Sequence, residues 1–222
     1  MTGLVRKATL LSGALLLVAG VAMAGVPSAA NSTLPLGIQY TGHTGGVADV
    51  KGQAVVVVRD AGNNPVINST VELLFGACAS APSSDLNLDD VQTFAGNSVN
   101  CAGNVIVAVT NGSGQATFRI IGGASALAGN SPGINVACCT VRADGQVLGN
   151  LRVAAYDLNT SGGVNGADQS LYLSTQFAGP AGYRTRADYN GDGVVNSADL
   201  SKLLSVQFGA GSLTSAVAPF CF

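Results

Sequence analysis

The chain reads as mainly β: a sandwich of short strands followed by a small α-helical module. Three observations predict this. Runs such as Gln53-Ala-Val-Val-Val-Val-Arg59 and Thr70-Val-Glu-Leu-Leu-Phe75 are β-branched or alternate, and are too short for helices between their turns. Thirty glycines and only 10% charged residues fit many turns between short strands. The C-terminal third carries a twelve-residue loop twice, each copy followed by a helical pattern.

The N-terminus is a separate matter. Arg6 and Lys7 precede an apolar run over 8–24 that ends Ala22-Met23-Ala24. A basic start, a short apolar stretch and a small-x-small end predict a signal peptide over 1–24, cleaved after Ala24, and hence a secreted or cell-surface protein. Residues 25–33 are small and polar and are expected to be a linker.

Residues 34–155 carry the strand pattern. Asp60-Ala-Gly-Asn-Asn-Pro65 has turn chemistry, since Asn and Asp tolerate left-handed φ. Strands are expected over 105–109, 116–121, 136–141 and 147–155. Asn111-Gly-Ser-Gly114 and Ala143-Asp-Gly145 read as hairpin turns. Residues 79–100 are polar without alternation and are expected to be a long loop. Strands at this spacing, with no helical period between them, predict a sandwich.

Five cysteines, Cys78, Cys101, Cys138, Cys139 and Cys221, leave one unpaired if the rest form disulfides. Cys78 and Cys101 sit at the two ends of the expected loop and are expected to pair. Cys221 is expected to pair with Cys138 or Cys139; adjacent strand residues point to opposite faces, so only one of these two is expected to face the core.

Without Arg6 and Lys7 the chain holds eight basic and twelve acidic residues, a net charge of −4. That argues against nucleic acid and against an anionic membrane surface. His43 is the one histidine and sits in a Gly-rich stretch, so it is read as an exposed loop residue. Asp89-Asp90 is read as a solvated loop rather than an acid/base couple, and no catalytic residue is expected. A polysaccharide ligand lacks its usual Trp platform, because the chain has no Trp.

The run 55–66 (VVVVRDAGNNPV) with Ser69-Thr-Val71, and Thr110-Asn-Gly-Ser-Gly-Gln-Ala-Thr-Phe118, resemble the opening strands and a hairpin of bacterial immunoglobulin-like domains. That resemblance implies an immunoglobulin-like β-sandwich serving as a spacer or binder.

The repeat carries the chemistry. Asp157-Leu-Asn-Thr-Ser-Gly-Gly-Val-Asn-Gly-Ala-Asp168 and Asp188-Tyr-Asn-Gly-Asp-Gly-Val-Val-Asn-Ser-Ala-Asp199 align position by position. A hard cation such as Ca²⁺ takes six to eight oxygens. Loop positions 1, 3 and 5 supply Asp157, Asn159 and Ser161, then Asp188, Asn190 and Asp192. Position 6 is Gly162 or Gly193, where the turn is sharp. Position 7 gives the backbone carbonyl of Gly163 or Val194. Position 8 is Val164 or Val195, position 9 is Asn165 or Asn196, and position 12 is Asp168 or Asp199. Loop 2 carries three carboxylates against two, so it is expected to be the tighter site.

Two loops about thirty residues apart, each followed by one helix and with Asp rather than Glu at position 12, resemble a type I dockerin, an EF-hand-like module. The resemblance covers 156–211 and leaves 212–222 as a tail. It implies bound Ca²⁺ and attachment to a cohesin-like or cell-surface protein. Cohesin-binding dockerins present a small polar pair at positions 10 and 11 and a basic pair along the helix. Here those pairs are Gly166-Ala167 and Ser197-Ala198, and Lys202 is the basic residue of the helices. Ser197, Ala198 and Lys202 are thus the implied partner contacts.

The expected apolar face is Leu200, Leu203, Leu204 and Phe208, with Gln169, Tyr172, Leu173 and Phe177 as counterparts. Leu171 stands where Lys202 faces water, so it marks either a contact surface or a helix rotated to bury it. The expected function is a secreted, non-catalytic calcium-binding attachment protein. The alternative is an accessory component of an extracellular polysaccharide-degrading system, with the sandwich binding or cleaving glycan.

Overall fold

The computed structural model describes residues 25–79, 86–124, 137–177, 185–208 and 221. The expected signal peptide and most of the tail lie outside these residues. Among the described residues no helix is long and apolar enough to cross a membrane.

The chain is mainly β. In order, the strands are β1 (Gly37–Thr41), β2 (His43–Thr44), β3 (Val47–Ala48), β4 (Ala54–Val57), β5 (Thr70–Leu74), β6 (Leu86–Leu88), β7 (Ser98–Asn100), β8 (Val105–Val109), β9 (Gln115–Phe118), β10 (Ile120–Ala124), β11 (Cys139–Ala143) and β12 (Gln146–Ala155). The helices are α1 (Gly76–Ala79), α2 (Gly166–Phe177) and α3 (Ser197–Gln207). Eight strands form one curled sheet in the order β6-β10-β1-β12-β11-β5-β8-β7, and β4 pairs with β9 in a separate ladder. Strand β1 is parallel to both its neighbours, β10 and β12, whereas the other ladders are antiparallel.

Alternation fixes which faces meet. Val71 and Leu73 of β5, Ile106 of β8, Ile38 and Tyr40 of β1, and Val56 and Phe118 of the β4–β9 ladder share one buried cluster. The curled sheet and the small ladder therefore enclose a common core. The Asp144-Gly145 turn joins β11 to β12 as expected: both residues have positive φ (47° and 80°) and Ala143 pairs with Gln146.

The turn at 111–114 is present, with Gly114 N–H donating to the Asn111 carbonyl at 2.9 Å. It does not close a paired hairpin, because β8 joins the large sheet and β9 joins β4. Nor is 79–100 a plain loop. Leu86 and Leu88 are fully buried in β6, and β7 pairs with β8. Three-residue strands leave too little alternation to detect in a polar stretch.

The segment expected to be a linker packs beside β4 and the turn that follows it. Thr33 bridges Val57, Ser28 N–H donates to the Arg59 carbonyl at 2.8 Å, and the Asn31 amide donates to the Asp60 carbonyl at 2.8 Å.

The cysteine pairing differs from the expected one. Cys78 bonds Cys138, Cys101 bonds Cys221, and Cys139 is a buried free thiol. Cys138 precedes β11, so strand alternation does not separate it from Cys139, and both enter the core. Cys101 follows β7, the last strand of the sheet. The Cys221 N–H donates to the Leu88 carbonyl of β6, the first strand, at 2.9 Å. The Cys101–Cys221 bond thereby links the two edges of the curled sheet.

Candidate calcium-binding loops

A second buried cluster forms below the sheet from Ala154, Tyr156, Leu158, Val164, Tyr172, Ala187, Tyr189, Leu203 and Val206. Strand β12 serves both clusters. Val153 and Ala155 belong to the first cluster, while Ala154 and Tyr156 belong to the second. The loops sit against the sheet rather than at the end of a free tether. Ala124 N–H of β10 donates to the Asp157 carbonyl at 2.7 Å, and the Gln39 amide of β1 donates to the Tyr189 carbonyl.

Each loop has the same skeleton. Positions 1 and 12 are buried carboxylates: Asp157 and Asp168 in loop 1, Asp188 and Asp199 in loop 2. In loop 1 the Asp157 carboxylate accepts from the N–H groups of Ser161 (3.1 Å) and Gly162 (3.0 Å). In loop 2 Asp188 accepts from Gly191 (2.7 Å) and Gly193 (3.0 Å). The position-12 carboxylate closes each loop. Asp168 accepts from Leu158 (2.7 Å) and Asn165 (2.8 Å), and Asp199 accepts from Asn190 and Asn196 (both 3.1 Å). Gly162 and Gly193 have φ of 87° and 91°, the left-handed region that position 6 requires.

Position 9 opens the helix. The Asn165 side-chain oxygen accepts from Ala167 N–H at 2.8 Å, and that of Asn196 accepts from Ala198 N–H at 2.7 Å. Asn196 and Asp199 form a reciprocal capping box at α3. The remaining loop 1 groups bond one another: the Asn165 amide donates to Ser161 Oγ at 3.2 Å and to the Gly163 carbonyl at 3.1 Å, and the Ser161 hydroxyl donates to that carbonyl at 3.2 Å. Asn159 Oδ1 accepts from Ser161 N–H at 3.0 Å.

The electrostatics leave room for a cation. Burial pushes the Asp168 carboxyl up to about 6. The Asn165 and Leu158 N–H groups pull it down, and the Asp157 charge pushes it up. Burial likewise raises Asp199, with the Asn196 and Asn190 N–H groups opposing and the Asp188 charge adding. Two carboxylates that disfavour each other's charge, ringed by hard oxygen donors, suit Ca²⁺ chemically.

Asp192 is exposed, where it accepts from Val194 N–H and from the Asn190 amide, both at 2.8 Å. Among the described residues no three His, Cys, Asp or Glu side chains converge. Each loop buries two carboxylates, and the third carboxylate of loop 2, Asp192 at position 5, lies at the surface. Val194 is exposed, and only its carbonyl is relevant.

The expected partner residues divide. Ser197 and Ala198 are exposed. Leu171 is half-buried and packs against the second cluster. Lys202 is exposed, yet its Nζ donates to the Tyr189 carbonyl at 3.1 Å, in a cleft of about 240 Å³ with Arg152, Gln39 and Asp188. Sequence reasoning overlooked Arg152: its Nη1 donates to the Gly191 carbonyl at 3.2 Å and lies 3.9 Å from Asp188 Oδ2. No spacing within the loop announces a residue from the neighbouring strand. His43 accepts a 3.3 Å bond from Gly46 N–H within its own hairpin, and Asp89 accepts from Val91 N–H at 2.7 Å.

No protein-family model, curated protein or solved structure matches this chain.

Proposed function

We propose that the chain is an exported, non-catalytic calcium-binding protein. In this reading an immunoglobulin-like sandwich carries a dockerin-like module that attaches to a cohesin-like or cell-surface protein. The observation that carries the reading is the shared loop construction. Both copies bury a position-1 and a position-12 carboxylate, turn on a left-handed Gly at position 6 and cap their helix with Asn at position 9. Repeated backbone closure around paired buried carboxylates is costly for an ordinary surface turn, and a cation would offset that cost.

Asp157, Asn159, Ser161, the Gly163 carbonyl, Asn165 and Asp168 would hold one Ca²⁺. Asp188, Asn190, Asp192, the Val194 carbonyl, Asn196 and Asp199 would hold the other. Bound calcium would neutralise the facing carboxylates and add its binding free energy to the folded state. The β4–β9 ladder, which contains part of the two runs that resemble an immunoglobulin-like domain, lies apart from the curled sheet and supports a sandwich for the N-terminal unit. Two disulfides fit an oxidising compartment.

Calorimetric titration of the full chain with CaCl₂ tests the reading, together with circular dichroism before and after chelation. Uptake of two ions and a loss of helicity with chelator are expected. No uptake and an unchanged spectrum would refute it. Capture of a surface protein with calcium, and not with chelator, is the expected outcome of a pull-down.

A further inference from the structure

The Arg152 guanidinium enters loop 2 from outside the loop. It projects from the module-facing side of β12, the face that also presents Ala154. Nη1 is bonded to the Gly191 carbonyl at position 4 and stands 3.9 Å from the position-1 carboxylate of Asp188. A Cβ on Gly193, position 6, would come within 3.7 Å of that same nitrogen. The Asp188 side chain is fully buried and that of Arg152 is 32% exposed, so water screens the pair only in part. Lys202 adds a second cation at position 2, through its bond to the Tyr189 carbonyl.

We propose that Arg152 sets the calcium affinity of loop 2, holding it below what the loop's own donors would give. This inference rests on the calcium reading above. A fixed positive charge at Asp188 satisfies part of the carboxylate's demand before any ion arrives. It then repels a divalent ion that uses the same oxygen, over a distance at which Coulomb energies are substantial. Calcium therefore enters loop 2 only as the guanidinium withdraws from Asp188, and Arg152 keeps the calcium-free loop seated on the sheet. The count of acidic residues in the loop misses this opposing charge.

The test is calorimetric titration of the full chain with CaCl₂ in an Asp157→Asn background, which leaves loop 2 to be read alone. Arg152→Gln keeps a donor for the Gly191 carbonyl and removes the charge. It should tighten calcium uptake about tenfold, a change of about 1.4 kcal/mol. Arg152→Lys keeps the charge and should leave the affinity close to that of the unaltered residue. Equal affinity for Arg152 and Gln would overturn the proposal, as would an equal gain for Gln and Lys, which would mark a packing effect. A second measurement needs no substitution at Arg152: the NMR signal of its Nε–H should shift as calcium fills loop 2, and a static signal during uptake sinks the idea. Failure of the calcium reading itself looks different, since no heat would then appear for the chain with both loops intact or for any Arg152 variant.

Discussion

Tyr156 and Tyr189 stack with ring centroids 4.6 Å apart and planes 16° from parallel, and Tyr172 extends the column at 6.1 Å. Tyr156 immediately precedes position 1 of loop 1, and Tyr189 immediately follows position 1 of loop 2. The Tyr156 hydroxyl donates to Gln39 Oε1 at 3.0 Å, and the Tyr172 hydroxyl donates to the Asn196 carbonyl. One aromatic column therefore ties both loop entrances and α2 to the sheet. The Tyr189 hydroxyl is buried with no hydrogen-bond partner among the described residues. Tyr189→Phe should leave stability unchanged or raise it by about 1 kcal/mol, because it removes an unsatisfied polar atom. Tyr189→Ala should cost about 3–5 kcal/mol through the cavity it leaves. Urea unfolding measures both, and a Phe variant clearly less stable than the parent would contradict the assignment of that hydroxyl.

The Cys101–Cys221 bond closes a span of 120 residues and the Cys78–Cys138 bond a span of 60. Replacing Cys101 and Cys221 together by Ala should cost about 2–5 kcal/mol, in line with the loss of a native disulfide. Mass mapping of non-reduced peptides should join residue 101 to 221 and 78 to 138. A 78–101 peptide would restore the pairing that the sequence alone suggests.

Local signals were legible in the sequence, and long-range ones were not. Strands β4, β5, β8, β9 and β12 follow from β-branched alternation, and the β11–β12 turn from Asp144-Gly145, because each depends on neighbouring residues. The same holds for the turn geometry of the two loops, whose Asp, Asn and Gly residues recur at fixed positions. The parallel seat of β1 between β10 and β12 depends on distant residues, as in the pairings of Tyr40 with Ile120 and of Gly37 with Arg152. The approach of Cys221 to Cys101 depends on how the whole sheet curls. Arg152 belongs to the same class: its role at loop 2 arises from a strand face meeting a distant loop.

Cys139 should be silent toward thiol reagents in the folded chain. Its side chain is fully buried, and burial raises its pKa far above the ordinary thiol value, so the reactive thiolate is scarce at neutral and mildly alkaline pH. Iodoacetamide at pH 8 should label no cysteine before denaturation and one after it, without reductant. Rapid labelling of Cys139 under native conditions would place it at the surface.

Asp60 gives the turn after β4 a defined response to acid. Its carboxylate accepts from Asn64 N–H at 2.8 Å, from the Asn64 amide and from Gly62 N–H at 2.9 Å. The Asn64 backbone bond is the largest influence lowering its pKa. A carboxylate whose folded pKa lies below its unfolded one contributes stability that is fully present above the unfolded value. That contribution is lost as pH falls through the folded value. Asp60→Asn should therefore lower the melting temperature at pH 7, and the gap from the parent should narrow toward pH 3. A gap that stays constant across this range would show that charge has no part in the turn.

Helix phase offers the sharpest contrast between the sequence pattern and the structure. Apolar periodicity places Phe177 and Phe208 on the buried faces, yet they are 79% and 77% exposed. The buried stripes are instead Asp168, Tyr172 and Thr175 on α2, and Asp199, Leu203 and Val206 on α3. Position 12 explains the rotation. Its carboxylate must point into the loop, and residues four and seven places later share its helical face. A residue nine places later, as Phe177 is to Asp168 and Phe208 to Asp199, lies about 180° around the helix. The loop chemistry thus sets which face packs, and it overrides the apolar pattern. Val206→Ala should cost about 1–3 kcal/mol, whereas Phe208→Ser should change stability by less than about 0.5 kcal/mol. Thermal unfolding of the two variants side by side decides the matter: a larger loss for Phe208→Ser would return the helix to the orientation its apolar residues suggest.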